Sequence, residues 1–213
     1  SAVTYVPPGR LLIAGGQGLL DFFDARTGRP AGPPIEYGRG GGLAVSPDGS
    51  LVATGSGDGT VTVWDVETRR PHGPEIKLDH EPRPLAVSPD GRLLVTSEGE
   101  YGTSSPMDTA TSVHVWDVAT RTPVDLPLEG HAVSVNAVAF SPDGEVFATG
   151  DNNGTVVLHD TRTGATVGPS LSAGTEVLTV AFGRNGDVVG VGTQGGSSLI
   201  FDADTGAQLA SLP

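Results

Sequence analysis

Five times along the chain, a strand-like run closes on a ring followed by an aspartate: Phe23-Asp24, Trp64-Asp65, Trp116-Asp117, His159-Asp160 and Phe201-Asp202. These aspartates, numbered 24, 65, 117, 160 and 202, stand 41, 52, 43 and 42 residues apart. Each ending is preceded by a small-residue apolar strand, a tight turn, a second strand and a Gly-rich turn. A chain that repeats one short unit cannot bury a core within each copy, so neighbouring copies must stack.

The second copy gives the pattern most clearly. Leu43-Ala44-Val45 is a short first strand, and Ser46-Pro47-Asp48-Gly49 follows it as a turn. There Pro presets φ, and Asp-Gly accepts the positive φ of a tight reversal. Leu51 to Thr54 is the second strand, and Gly55-Ser56-Gly57-Asp58-Gly59 is the next turn. Thr60 to Asp65 alternates polar and apolar residues at period two, as a half-buried strand does. Pro71 to Leu78 supplies a weaker outer strand, its prolines suited to an edge. A repeat of this length with a Trp-Asp ending predicts four-stranded propeller blades. The expected fold class is all-β, with five antiparallel blades at approximately 1–38, 39–79, 80–130, 131–173 and 174–213.

Composition narrows the function classes. Twenty-five acidic against twelve basic residues give a formal charge of −13, a field that repels phosphate backbones and anionic headgroups. Neither nucleic-acid nor membrane binding is expected. Arg69-Arg70 is the one adjacent basic pair and reads as a solvated turn; Lys77 is the only lysine. Without cysteine there is no disulfide frame or thiolate site. No apolar run reaches the roughly 18 residues of a membrane span, and the N-terminal residues show no signal peptide, so a cytoplasmic location is expected.

The sequence carries no recognisable reactive constellation. His72, His80, His114, His131 and His159 form no pair with metal-ligand spacing. Asp151-Asn152-Asn153-Gly154 lacks the later bidentate Glu of a calcium loop. Gly38-Arg39-Gly40-Gly41-Gly42 is followed by no Lys-Ser/Thr and no helix. No Gly-x-Ser-x-Gly elbow is present. The expectation is no metal, no cofactor and no catalytic residue.

The repeated Ser-Pro-Asp-Gly turns and Trp-Asp endings resemble the WD-repeat β-propeller family along the whole chain. The phrases Thr-Gly-Arg-Pro-Ala-Gly-Pro-Pro-Ile (27–35) and Thr-Gly-Ala-Thr-Val-Gly-Pro-Ser-Leu (163–171) resemble bacterial, especially actinobacterial, members. The resemblance implies an interaction platform, commonly joined in bacteria to signalling proteins such as NTPases, kinases or transcriptional regulators. It also implies a blade-tying network of a Gly-His, a Ser/Thr, a turn Asp and the Trp indole N–H. Carried onto this chain, copy two offers Thr54, Asp58 and Trp64 without a Gly-His. Copy three offers Thr96 and Trp116, with His80 as a loose stand-in. Copy four offers Gly130-His131 and Thr149, but Asn153 and His159 stand where Asp and Trp would be. Phe23 and Phe201 cannot donate.

Copy three carries about ten extra residues between its second and third strands, Glu98 to Thr111, which accounts for the spacing of 52. The resemblance places this loop on the face that such propellers most often use for partners. Tyr101 and Met107 are adaptable contact residues. With Arg83, Glu98, Glu100, Asp108 and Asp151 they make the candidate partner-binding set, against the alternative of a tolerated surface insertion. The ends leave three alternatives open: a fragment of a larger propeller, a closed five-bladed ring, or self-association through open blade edges. The expected function is a non-catalytic scaffold or sensor module, its protein partner in trans or a neighbouring domain in cis. The alternative is a propeller-scaffold hydrolase or lyase with a site at the central channel.

Overall fold

The computed structural model describes residues 2–6, 11–16, 18–39, 42–98 and 113–212, and all their regular structure is strand. No helix among them is long and apolar enough to cross a membrane. Twenty strands form five four-stranded antiparallel sheets, each in simple sequence order. The first holds β1 (Ala2–Val6), β2 (Leu11–Gly16), β3 (Leu19–Asp24) and β4 (Ile35–Glu36). The second holds β5 (Leu43–Val45), β6 (Leu51–Gly55), β7 (Thr60–Asp65) and β8 (Ile76–Lys77). β9 (Pro82–Val87), β10 (Leu93–Glu98), β11 (Val113–Asp117) and β12 (Pro123–Val124) make the third. The fourth is β13 (Val135–Phe140), β14 (Val146–Asp151), β15 (Thr155–Asp160) and β16 (Leu171–Ser172). β17 (Val177–Phe182), β18 (Val188–Thr193), β19 (Ser198–Asp202) and β20 (Gln208–Leu212) complete the fifth.

The turns form where the sequence carries their chemistry. Gly49, Gly91 and Gly144 adopt φ of 75°, 71° and 75° at the end of the three Ser-Pro-Asp-Gly turns. In each, the Ser hydroxyl donates to the Asp carboxylate at 2.6 Å and accepts the N–H five residues on. Each repeat aspartate then caps the turn after its third strand. Asp24, Asp65, Asp117, Asp160 and Asp202 accept the backbone N–H of Thr27, Thr68, Thr120, Thr163 and Thr205 at 2.6–2.8 Å. Bonds from the hydroxyls and backbone N–H groups of these threonines favour the ionised carboxylate and hold all five below the ordinary carboxylate range. The outer strand of the second sheet is shorter than the sequence predicts. In the second sheet, Pro71 keeps one isolated bridge to Trp64, and regular pairing resumes only at Ile76. The intervening Pro71, Gly73 and Pro74 explain the gap, since proline offers no N–H to a ladder.

The chain divides into two compact units, residues 1–101 with 116–123, and residues 102–115 with 124–213. In the first, Leu20, Phe22 and Ile35 of the first sheet pack with Val52 and Val66 of the second. The opposite side of the second sheet packs Ala53, Val61 and Val63 with Val87, Leu94 and Trp116 of the third. In the second unit, Ala148, Val156 and Leu158 meet Val177, Val189, Val191 and Phe201. Approach there is close enough that a Cβ on Gly150 would lie 2.5 Å from Val177. A small residue on the second strand of the fourth sheet thus lets the fifth sheet stack closely, and β-branched residues fill the space between them.

Candidate functional site

The polar network of the fourth sheet joins His131, Thr149 and His159, which the sequence suggests, with Asp151 where Asn153 was expected. β14 presents Thr149 and Asp151, β15 presents His159, and the connection before β13 supplies His131. His131 Nδ1 lies 2.8 Å from Asp151 Oδ2, and its Nε2 lies 2.6 Å from Thr149 Oγ1. Thr149 Oγ1 is also 2.9 Å from His159 Nε2. A carboxylate only accepts, so His131 Nδ1 carries a proton. His159 is fully buried and stacks on Phe147 with ring centroids 5.0 Å apart. Burial pushes its imidazole down to about 4, only partly opposed by the Gly164 carbonyl near Nδ1.

Asp151 is therefore misplaced in the partner-binding set. It is 1% exposed and is spent internally on His131 and on the N–H groups of Asn153 and Thr155. The carboxylate sits two positions earlier than in the second sheet, at the turn position where that sheet has Ser56. Asn153 contributes its backbone N–H to Asp151 at 2.9 Å. The missed signal was Asp151 itself, which ends β14 on the same pleat as Thr149.

The second and third sheets hold simpler versions. Trp64 Nε1 donates to Thr54 Oγ1 at 2.8 Å, and Trp116 Nε1 donates to Thr96 Oγ1 at 3.0 Å. Asp58 bonds the Ser56 hydroxyl and the Thr60 N–H, and these bonds draw its carboxyl down to about 2. His80 is exposed in its turn.

Arg69 is not the solvated turn residue that its sequence context suggests; only Arg70 is exposed. Arg69 donates to the carbonyls of Ala31 and Pro33 in the preceding sheet, its guanidinium 4.7 Å above the Phe22 ring centroid. Arg121 repeats the arrangement one sheet later, donating to His72 and Pro74. Both arginines have positive φ, 57° and 60°.

Of the other candidate partner-binding residues, Arg83 is half-buried on β9, and Glu98 ends β10. Glu100, Tyr101, Met107 and Asp108 lie outside the described residues. No group of three His, Asp or Glu residues is arranged to hold a metal ion among the described residues.

Comparison with known proteins agrees with this architecture. Residues 41–65 and 122–160 match the family WD40, described as WD domain, G-beta repeat. The first segment contains Thr54, Asp58 and Trp64; the second contains the whole His131–Asp151–Thr149–His159 network. A guanine nucleotide-binding protein subunit beta from Zea mays is 43% identical over 54 residues, 25% of this chain and 14% of that protein. Its counterpart from Solanum tuberosum is 39% identical over 54 residues, with the same coverage. The small ribosomal subunit protein RACK1y of Oryza sativa subsp. japonica is 49% identical over 49 residues, 23% of this chain and 14% of that protein. The matched stretch thus spans about one seventh of each relative's length. The four-stranded antiparallel sheets and the matched repeats define an all-β fold of the WD-repeat β-propeller class.

Proposed function

We propose that this chain is a non-catalytic protein-interaction scaffold or sensor module, part of a larger cytoplasmic signalling or regulatory protein of bacterial type. It binds its partner through loops on one face, with Arg83 and the Glu98–Asp108 loop as the contact set. One observation carries the reading: the side chains with chemical potential are consumed by structure. The repeat aspartates cap turns, and the two histidines of the fourth sheet are locked between Thr149, Asp151 and Phe147. The relatives' names support a protein partner, since one is the beta subunit of a guanine nucleotide-binding protein and another belongs to a ribosomal subunit. The test immobilises the chain and quantifies proteins captured from a lysate of the source organism. Tyr101→Ala and Met107→Ala are expected to reduce capture of one protein while melting is unchanged. Capture unchanged from the parent chain in both variants would remove the loop as the site.

A specific observation also supports self-association. Leu178, Leu209 and Leu212 of the fifth sheet are 53%, 57% and 55% exposed. Thr179 and Ala181 are exposed where their fourth-sheet counterparts Ala137 and Ala139 pack on a neighbour. Exposed apolar strand surface of this kind invites pairing. Light scattering should give a mass above 21.6 kDa that falls on Leu178→Ser; a concentration-independent monomer would dismiss the idea.

A further inference from the structure

In both units a sheet offers one face to the sheet that follows it, and the pairing registers fix which residues that face carries. In the fourth sheet one cross-strand row runs Ala137, Gly150, Val156 and Leu171, and the next runs Ala139, Ala148 and Leu158. The fifth sheet packs on this face. The second sheet repeats the pattern, with Gly55, Val61 and Ile76 in one row and Ala44, Ala53 and Val63 in the other, packed on the third. The first two strands thus supply small residues, and the third and fourth supply larger aliphatic ones. A branched side chain of the neighbour then lies on nearly bare backbone, as Val177 lies over Gly150, where a Cβ would come within 2.5 Å.

The fifth sheet carries the same face with nothing packed on it. Its rows are Thr179, Gly192, Ser198 and Leu212, then Ala181, Gly190 and Ile200. Leu212 is 55% exposed where its counterpart Leu171 is 2% exposed. Thr179, Ala181 and Ser198 are exposed as well. Gly190 and Gly192 form a floor: a Cβ on either would meet only the fifth sheet's own Ala181 or Thr179. A trough of this shape takes a ridge of branched side chains, as Gly150 takes Val177.

The complementary face stands open on the first sheet. Leu20, Phe22 and Ile35 are taken up by the second sheet. Leu19, Asp21 and Phe23, which alternate with Leu20 and Phe22 along β3, therefore belong to the other face. Phe23 pairs Leu12 as Phe201 pairs Val189, and Asp21 pairs Ala14 as Leu199 pairs Val191. Leu199 and Phe201 are 7% and 3% exposed, packed on the fourth sheet, whereas Leu19 is 38% exposed and Asp21 and Phe23 are half-buried. One exchange matches the two open faces to each other. Val156 and Leu199 share the core between the fourth and fifth sheets. In their places the open faces carry Ser198 and Asp21, a hydroxyl that donates and a carboxylate that accepts. We propose that the open face of the fifth sheet docks the first sheet of a second copy of this chain, head to tail. Leu19, Asp21 and Phe23 of one copy then meet Ser198, Ile200 and Leu212 of the other. Two different faces meet, so the contact is heterologous. The proposal deepens the self-association reading and rests on it.

The test blocks each face in a separate chain. Leu212→Arg closes the face of the fifth sheet. Leu19→Arg, at an exposed position, closes the face of the first, and Phe23→Arg closes it more fully if that variant melts like the parent. Light scattering is run on the parent, on each variant alone and on equimolar mixtures of the two kinds. The parent should exceed 21.6 kDa, and each variant alone should fall to 21.6 kDa. In the mixture one intact face remains on each chain, so a complex of twice 21.6 kDa should form and grow no larger. A blocked variant that associates alone as the parent does, or a mixture that stays monomeric beside an associating parent, would overturn the head-to-tail docking and leave self-association through another surface. A parent that is monomeric at every concentration would dismiss the self-association reading, and this docking with it.

Discussion

Arg121 reaches back to the sheet before its own, where its Nε donates to the carbonyl of Pro74 across 3.2 Å. It does so from a backbone φ of 60°, which L-residues other than glycine seldom adopt. Arg69 does the same toward Ala31 and Pro33. At the equivalent turn position other repeats carry glycine: Gly28, Gly164 and Gly206, with φ of 68°, 73° and 70°. Two of these also touch the preceding outer loop, since a Cβ on Gly164 would meet Leu126 at 2.9 Å and one on Gly206 would meet Pro169 at 2.6 Å. One position of the repeat therefore governs sheet-to-sheet contact, by an arginine strut or by bare backbone.

From this follows an inverted substitution order. Arg121→Ala keeps the unfavourable φ and loses both bonds, whereas Arg121→Gly loses the bonds but relieves the backbone. Alanine should be the more destabilising by about 1 kcal/mol, read as a lower urea midpoint. If the two variants unfold alike, the left-handed backbone is not under strain.

Asp58 and Asp151, which serve the corresponding turns of the second and fourth sheets, should differ sharply. Asp151 is buried and binds His131, so Asp151→Ala strands an imidazole N–H and two backbone donors. A loss of about 3 kcal/mol is expected. Asp58 is mostly exposed and water can replace its bonds, so Asp58→Ala should have a much smaller effect. Equilibrium unfolding of both variants checks the contrast, and comparable losses would contradict it.

How much of this was legible depended on whether a residue's role is local. The Ser-Pro-Asp-Gly turns and the Asp-x-x-Thr caps act within a few residues, so strands and turns could be placed from the sequence. Asp151 was misjudged because its partner His131 is twenty residues away and Asn153 occupied the expected register. Arg69 looked like a solvated turn because its acceptors, Ala31 and Pro33, lie in another repeat.

The buried imidazole of His159 gives the fold an acid-labile element. Its ordinary value is 6.5 and the fold pushes it down to about 4. Above 6.5 both folded and unfolded chains hold it neutral. Between 6.5 and about 4 only the unfolded chain takes the proton, so stability falls as pH falls, by at most roughly 3 kcal/mol. The groups facing it are His131, Thr149, Phe147 and the Gly164 carbonyl. His159→Phe keeps the ring stacking and should flatten the decline across that interval. Urea midpoints that fall equally in both proteins would assign the acid sensitivity elsewhere. The turn aspartates act only lower, losing stability as pH drops below 3.8.

The last test concerns the indole bonds. Trp64 and Trp116 each send the ring N–H to a threonine hydroxyl buried on the neighbouring strand, Thr54 and Thr96. Valine has the shape of threonine without the acceptor, so Thr54→Val and Thr96→Val leave packing intact and orphan one N–H. Trp116 is the more buried of the two, at 8% exposure, so its orphaned donor has less access to water. Thr96→Val should lose about 2 kcal/mol and Thr54→Val about 1 kcal/mol, because Trp64 is only partly buried and its stranded donor can rehydrate. Trp64→Phe also loses packing, so a double-mutant cycle with Thr54→Val isolates the bond, and a coupling of about 1 kcal/mol is expected. A coupling near zero would show that ring packing, not the hydrogen bond, fixes Trp64 in its sheet.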